Sequence, residues 1–314
     1  MSPQADPDRP DAARRAPRRV LMLALMAWIT PAASLAQPLM TWSDLTRAPA
    51  PKPSERIAYG SGSSQVVDLW LPAGPGPFPV VVMLHGGCWQ ADIATLQIMN
   101  YVAADLRRRG IAVWNIEYRG VDQAGGGYPG TFQDVAAATD ALRAAAPKYH
   151  LKIDRVIAVG HSAGGHLAFW LAARPSLPAS SPLHTPAPLP IAAAVSLGGL
   201  PDLEVDRAFT DAGCGSAPVD RLTGLASGRT GDVYADTSPA ARLPLHVPQL
   251  MVQGARDPVS PPDVAAGYQA KAKAHGEHVR VIVVPDAGHA ELIAPRSTAW
   301  AREASEIMRL ARGS

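Results

Sequence analysis

Val156-Ile157-Ala158-Val159-Gly160-His161-Ser162-Ala163-Gly164-Gly165-His166 is the stretch on which the fold turns. Its first four residues are apolar and read as a buried strand. A helical run follows from His166 to Ala173. Between them Gly160 and Gly164 bracket Ser162, giving a GxSxG match in strand–turn–helix context. Such a turn holds a serine on strained backbone with its hydroxyl exposed. Side chains at the two glycines would clash where strand and helix cross. The helix points its positive end at the serine and favours negative charge developing there. The pattern predicts a nucleophilic serine. A glycine-rich turn that only packs is the competing reading, so the rest of the chain has to decide.

Outward from this turn, strands alternate with helices. Upstream, residues 66–71 alternate as a strand, and residues 79–84 form a continuous apolar run that suits a strand buried on both faces. That run ends at His85-Gly86-Gly87-Cys88-Trp89. A helix is expected over 93–109 with Gly110 as its stop, then a strand over 111–116 and a helix over 132–146. Downstream, 174–190 is a proline-dense surface connection, and 191–197 resumes the sheet pattern. Residues 198–247 lack a clear period and read as an inserted cap. A strand over 249–252, a helix over 263–275, a strand over 279–284 and a closing helix over 296–312 complete the series. Right-handed crossovers then give an α/β fold: a mostly parallel central sheet, helices on both faces and a small inserted cap.

Composition narrows the function. Residues 1–36 hold five arginines and three aspartates of the chain's 29 basic and 27 acidic residues, which leaves 24 of each sign elsewhere. The balance offers no basic stripe for nucleic acid and no cationic face for a membrane. The first 36 residues read as a signal peptide: a basic region ending at Arg18-Arg19, an apolar run from Val20 to Ile29, and small residues at Ser34 and Ala36 before Gln37. Arg18-Arg19-Val20-Leu21 also resembles a twin-arginine signal. The apolar run is far short of the roughly 20 residues that span a bilayer. The expected mature protein is exported, periplasmic or extracellular, without stable membrane insertion; an uncleaved anchor is the alternative. Residues 37–55, rich in proline and alanine, read as a linker, and 56–314 as one large α/β domain.

Three chemically apt residues fall at the C-terminal ends of expected strands, where such sheets bind ligands. They are Ser162, Asp257 and His289. A serine hydroxyl needs a base, and the base needs an acid to orient it. His289 is the expected base and Asp257 the expected orienter, in the chain order Ser–Asp–His. His161 and His166 flank the serine but should point away from its open face, and His85 reads as a structural donor. His150, His184, His246, His275 and His278 are scattered, and no histidine has metal-ligand spacing. Asp202 is an alternative acid; Asp286, too close in sequence to His289, reads as a solvated turn residue. For the oxyanion, the backbone N–H of Ala163 is one expected donor and those of Gly87 and Cys88 the others.

With these residues in view, the chain resembles an α/β-hydrolase of the esterase/lipase group with a His-Gly-Gly oxyanion motif. The resemblance spans roughly 66–312. It implies hydrolysis of a small carboxylic ester through an acyl-enzyme, with neither metal nor organic cofactor. Cys88 departs from the third glycine of hormone-sensitive-lipase-like esterases. His85-Gly86-Gly87-Cys88-Trp89 is instead similar to the His-Gly-Gly-x-Trp of kynurenine-formamidase-like enzymes, which implies an arylformamide or other amide as the alternative substrate. A non-catalytic binding protein on the same fold would lack a triad member, and none is missing. Cys88 and Cys214, the chain's two cysteines, either pair and tie the cap to the oxyanion loop or stand as separate thiols.

Overall fold

Eight strands form one sheet in the computed structural model, which describes residue 1, residues 38–210 and residues 213–313. In chain order they are β1 (Glu55–Ala58), β2 (Val66–Trp70), β3 (Phe78–Leu84), β4 (Ala112–Ile116), β5 (Leu151–His161), β6 (Ile191–Leu197), β7 (Gln249–Gly254) and β8 (Val279–Val284). Across the sheet the order is β1-β2-β4-β3-β5-β6-β7-β8. β2 pairs antiparallel with both β1 and β4, and every other neighbour pair is parallel. The chain winds one way from β3 to β4 and the other way from β5 onward. The loops that leave β3 and β5 therefore diverge and open a crevice between adjacent strand ends.

Eight helices accompany the strands among the described residues: α1 (Trp42–Thr46), α2 (Asn100–Arg108), α3 (Gly130–Tyr149), α4 (Ala163–Ala173), α5 (Leu203–Thr210), α6 (Ser216–Thr223), α7 (Pro262–Ala274) and α8 (Thr298–Arg312). Strand periodicity sorts the core into two layers. Val80, Val82 and Leu84 of β3 pack with apolar residues of α3, α4 and α7, while Val81 and Met83 pack with those of α2 and α8. Burial on both faces is why β3 lacks polar alternation. Each such fully buried branched side chain contributes about 1.5–3 kcal/mol. α4 is buried along its whole length, which accounts for a run with no polar face. Ser297 caps α8 by accepting from Trp300 N–H at 2.9 Å, and Gly313 ends it at φ 74°.

Two expectations need correction. Residues 37–55 are not a plain linker: residues 41–46 carry a capping box between Thr41 and Asp44 and form α1, whose Leu45 is buried, and β1 already begins at Glu55. One helical turn is too short to show a period. The helix expected over 93–109 starts later, with a 3-10 turn over Leu96–Met99 leading into α2. Leu96 N–H donates to Glu117 Oε2 at 2.9 Å, which fixes that entry. Residues 198–247 do form an insertion between β6 and β7, and it contains α5 and α6. It is sewn to the frame as well as covering it: Trp170 Nε1–H donates to Asp236 O at 2.8 Å. The expected signal peptide lies outside the described residues. Among the described residues no helix is long and apolar enough to cross a membrane.

Candidate active site

The crevice between β3 and β5 is where the sequence-predicted residues meet. Ser162 follows β5 directly, with φ 54° and ψ −122°. A non-glycine residue held there is strained and persists only when its surroundings over-determine it. They do so here: Ser162 N–H donates to Leu197 O at 2.8 Å, and Gly165 N–H to Ser162 O at 2.8 Å. A methyl group added at Gly164 would lie 2.2 Å from Leu84 O, so only glycine lets α4 approach β3 this closely.

The strands to one side carry the residues expected as acid and base. Asp257 follows β7 and His289 follows β8. His289 Nδ1–H donates to Asp257 Oδ2 at 2.6 Å, which leaves Nε2 as the basic nitrogen. The other carboxylate oxygen, Oδ1, accepts from Val259 N–H at 2.8 Å and Ser260 N–H at 3.0 Å. The acid is thereby oriented by its own turn. Ser162 and His289 line one cavity of about 330 Å³.

The loop after β3 closes the site from the opposite direction. A methyl group at Gly86 would lie 3.0 Å from Ser162 Cβ, so this loop passes directly over the serine. Gly87, Cys88 and Trp89 have φ of 100°, 55° and 57°, three consecutive left-handed residues. Several contacts hold them. The His85 ring stacks on Tyr118 at 4.2 Å and bridges Gly86 O to Glu117 Oε1, each at 2.7 Å. Burial alone would raise the Glu117 carboxyl; the His85 charge and the N–H groups of Leu96 and Tyr118 outweigh it and hold the group below its ordinary value. Trp89 Nε1–H reaches His166 Nδ1 at 3.3 Å. Cys88 and Cys214 are joined by a disulfide with their Cα atoms 5.6 Å apart, tying the loop to the β6–β7 insertion. Among the described residues, no protein acceptor takes the N–H of Gly87, Cys88 or Ala163.

The rival residues have other partners. His161 Nε2–H donates to His289 O at 3.0 Å. Burial first, then the His289 ring, press the His161 pKa well below the usual imidazole value. His166 Nε2–H donates to Thr237 O at 2.8 Å, and burial lowers its pKa to about 4. Both remain neutral packing groups at neutral pH. Asp202 Oδ2 accepts from Lys271 Nζ at 2.8 Å, an ion pair separate from His289, and Asp286 is exposed. Sequence reasoning missed Glu117, Glu291 and Trp42. The Trp42 ring stands edge-on to His289 at 6.0 Å, a contact across nearly the whole chain that no local pattern announces. Among the described residues no three His, Cys, Asp or Glu side chains gather as a metal site.

Fold and site together define an α/β-hydrolase. Residues 67–271 match the BD-FAE family model, and the chain belongs to that family. The match takes in Ser162 and Asp257 and ends before His289. None of the curated proteins matches the chain. Among solved structures, the chain is similar to a truncated carbohydrate esterase from gut microbiota, with 22% identity, TM-score 0.68, and coverage of 84% of this chain and 99% of that one. It is also similar to an inhibited esterase B from Lactobacillus rhamnosis, with 18% identity, TM-score 0.69, and coverage of 85% and 90%. A bacterial heroin esterase aligns with 24% identity, TM-score 0.61, and coverage of 82% and 83%. At these identities the likeness is one of fold.

Proposed function

We propose that the protein is a serine hydrolase of small carboxylic esters. The observation that carries the reading is the Asp257–His289 hydrogen bond of 2.6 Å, set in one cavity with a serine on strained backbone. Ser162 Oγ attacks the ester carbonyl while His289 Nε2 takes its proton. The carbonyl oxygen becomes negative and is met by the N–H groups of Ala163 and of the Gly87–Cys88 segment. Each such donor lowers the barrier by about 3 kcal/mol. The N-terminus of α4, which starts at Ala163, adds its positive end. Collapse expels the alcohol, protonated by His289, and leaves an acyl group on Ser162. Water activated by His289 then releases the acid. The three similar structures named above are esterases, which supports an ester over an amide as substrate. Export is part of the proposal: the leader-like residues 1–36 and the Cys88–Cys214 bond both suit an oxidising compartment. N-terminal sequencing of the mature protein should then begin at Gln37.

A fluorophosphonate probe tests the mechanism. Wild-type protein should label and the Ser162→Ala variant should not; an unlabelled wild type refutes the serine mechanism. A panel of nitrophenyl esters against N-formylkynurenine tests the substrate class. Preferential turnover of the formamide would replace the ester by the amide.

A further inference from the structure

We propose that residues 38–54 complete the acyl pocket and that Trp42 sets the size of uncharged acyl group it accepts; this deepens the ester-hydrolase reading and rests on it. These residues lie ahead of the span matched by the BD-FAE family, which starts at residue 67. This arm is docked on the body. Leu45 is buried, Tyr101 Oη–H donates to Ala48 O at 2.8 Å, and Asn100 Nδ2–H donates to Pro51 O at 3.2 Å. A clamp joins it to the base loop. Glu291, two residues beyond His289, accepts from Met40 N–H through Oε1 and from Gly288 N–H through Oε2.

The clamp places α1 against the site. The Trp42 ring meets the rings of His289 and His161 edge-on, at 6.0 and 5.8 Å. It lines the cavity that holds Ser162, along with Ile93, Ile98, Val259 and the Cys88–Cys214 bridge. His289 is the sole ionisable side chain lining that cavity among the described residues, so an acyl group entering it should be uncharged. Trp42 and Ile93 remain 47% and 54% exposed, although each is large and apolar. Apolar surface left uncovered around a reactive serine marks where a ligand can be covered. Trp42 is thus a specificity-determining residue: it would touch acyl carbons beyond the second and leave the carbonyl to the oxyanion loop.

Nitrophenyl acetate and nitrophenyl butyrate separate this role from mere support of His289. One methylene buried is worth about fourfold in binding. Two lost from contact should lower the ratio of kcat/KM for butyrate over acetate by about fifteenfold in Trp42→Ala. Trp42→Phe should restore much of it. A ratio unchanged in Trp42→Ala, or a fall in kcat shared equally by both esters, overturns the proposal. Calorimetric titration of both esters into Ser162→Ala, with and without Trp42→Ala, reads the same contact without turnover. Should wild type hydrolyse neither ester, the hydrolase reading falls. The titration then decides the pocket alone: selective weakening of butyrate upholds Trp42's role, and equal affinities overturn it.

Discussion

Breaking the Cys88–Cys214 bond should cost stability and activity together. The bridge closes a loop of 126 residues. In the chain-entropy treatment a loop of that length restricts the unfolded chain by about 5 kcal/mol, and native bridges commonly deliver about 2–5 kcal/mol. For a domain of this size each kcal/mol moves Tm by roughly 2–4 °C. The Cys88→Ser/Cys214→Ser double variant should therefore melt about 10 °C below wild type, as should wild type held in reductant. Activity should fall as well. Cys88 sits at φ 55° between two further left-handed residues, and the bridge ties that loop to the insertion. Loosening it blurs the position of one proposed oxyanion donor. Loss of a whole donor is worth about 3 kcal/mol, so a drop in kcat of about tenfold to a hundredfold is expected. Scanning calorimetry with and without reductant, beside ester turnover in the same samples, reads both effects. Two free thiols per chain in denatured, unreduced protein would refute the bridge; an unchanged Tm on reduction would refute its energetic role.

Other perturbations separate groups that lie near one another. Asp257→Asn should lower kcat by about 10⁴-fold through the wrong His289 tautomer, whereas Asp202→Asn, which touches only the Lys271 ion pair, should stay within a few-fold; steady-state kinetics of both variants decide, and a larger loss for Asp202→Asn would reverse the assignment. His166 titrates near 4 when folded and near 6.5 when unfolded, so the unfolded chain binds more protons between those values. Stability from this group is complete above about pH 6.5 and falls by about 3 kcal/mol as pH drops through 4; urea midpoints at pH 7 and 4.5 should show a shallower fall in His166→Asn than in wild type, with the buried His161 supplying what remains. Glu303 is fully buried on α8, makes no hydrogen bond through its carboxyl, and has its pKa raised well above the usual carboxyl range by burial. A raised folded pKa means stability is lost as pH climbs above the unfolded value. Glu303→Leu should therefore gain about 1–3 kcal/mol at pH 8 and less at pH 4.5, measured by denaturant unfolding; no gain at pH 8 would count against the buried-acid picture.

Much of the frame was legible because its residues repeat a physical requirement locally. Ile191–Leu197 and Val279–Val284 are strands with the bounds their largely apolar runs suggest: the first is almost wholly buried inside the sheet, and the second, at its edge, carries Arg280 outward. The turn around Ser162 was legible because close crossing demands glycine at fixed offsets. What escaped depends on contacts between distant parts of the chain. α1 spans five residues, too few for a helical period, and owes its place to Leu45 and to Glu291 far downstream. β1 is mostly exposed and shows no alternation. Ile93 and Ala94 fit a helical pattern but are drawn into the cavity wall, because the Leu96 N–H is captured by Glu117. The cysteine pair left two options open in sequence, and only the meeting of the β3 loop with the insertion chooses between them.

His161 occupies the position just before the serine and spends its Nε2–H on the backbone carbonyl of His289. Two loops that arrive from β5 and β8 are thereby fastened together by a single side chain. When either loop drifts, the other is carried along, so the gap between Ser162 and His289 should fluctuate less than either loop does against the sheet. The fastener is a neutral imidazole whose protonation lies well below the usual range, so mild acid leaves it intact. A residue outside the proposed triad can in this way govern how often Ser162 and His289 are in register.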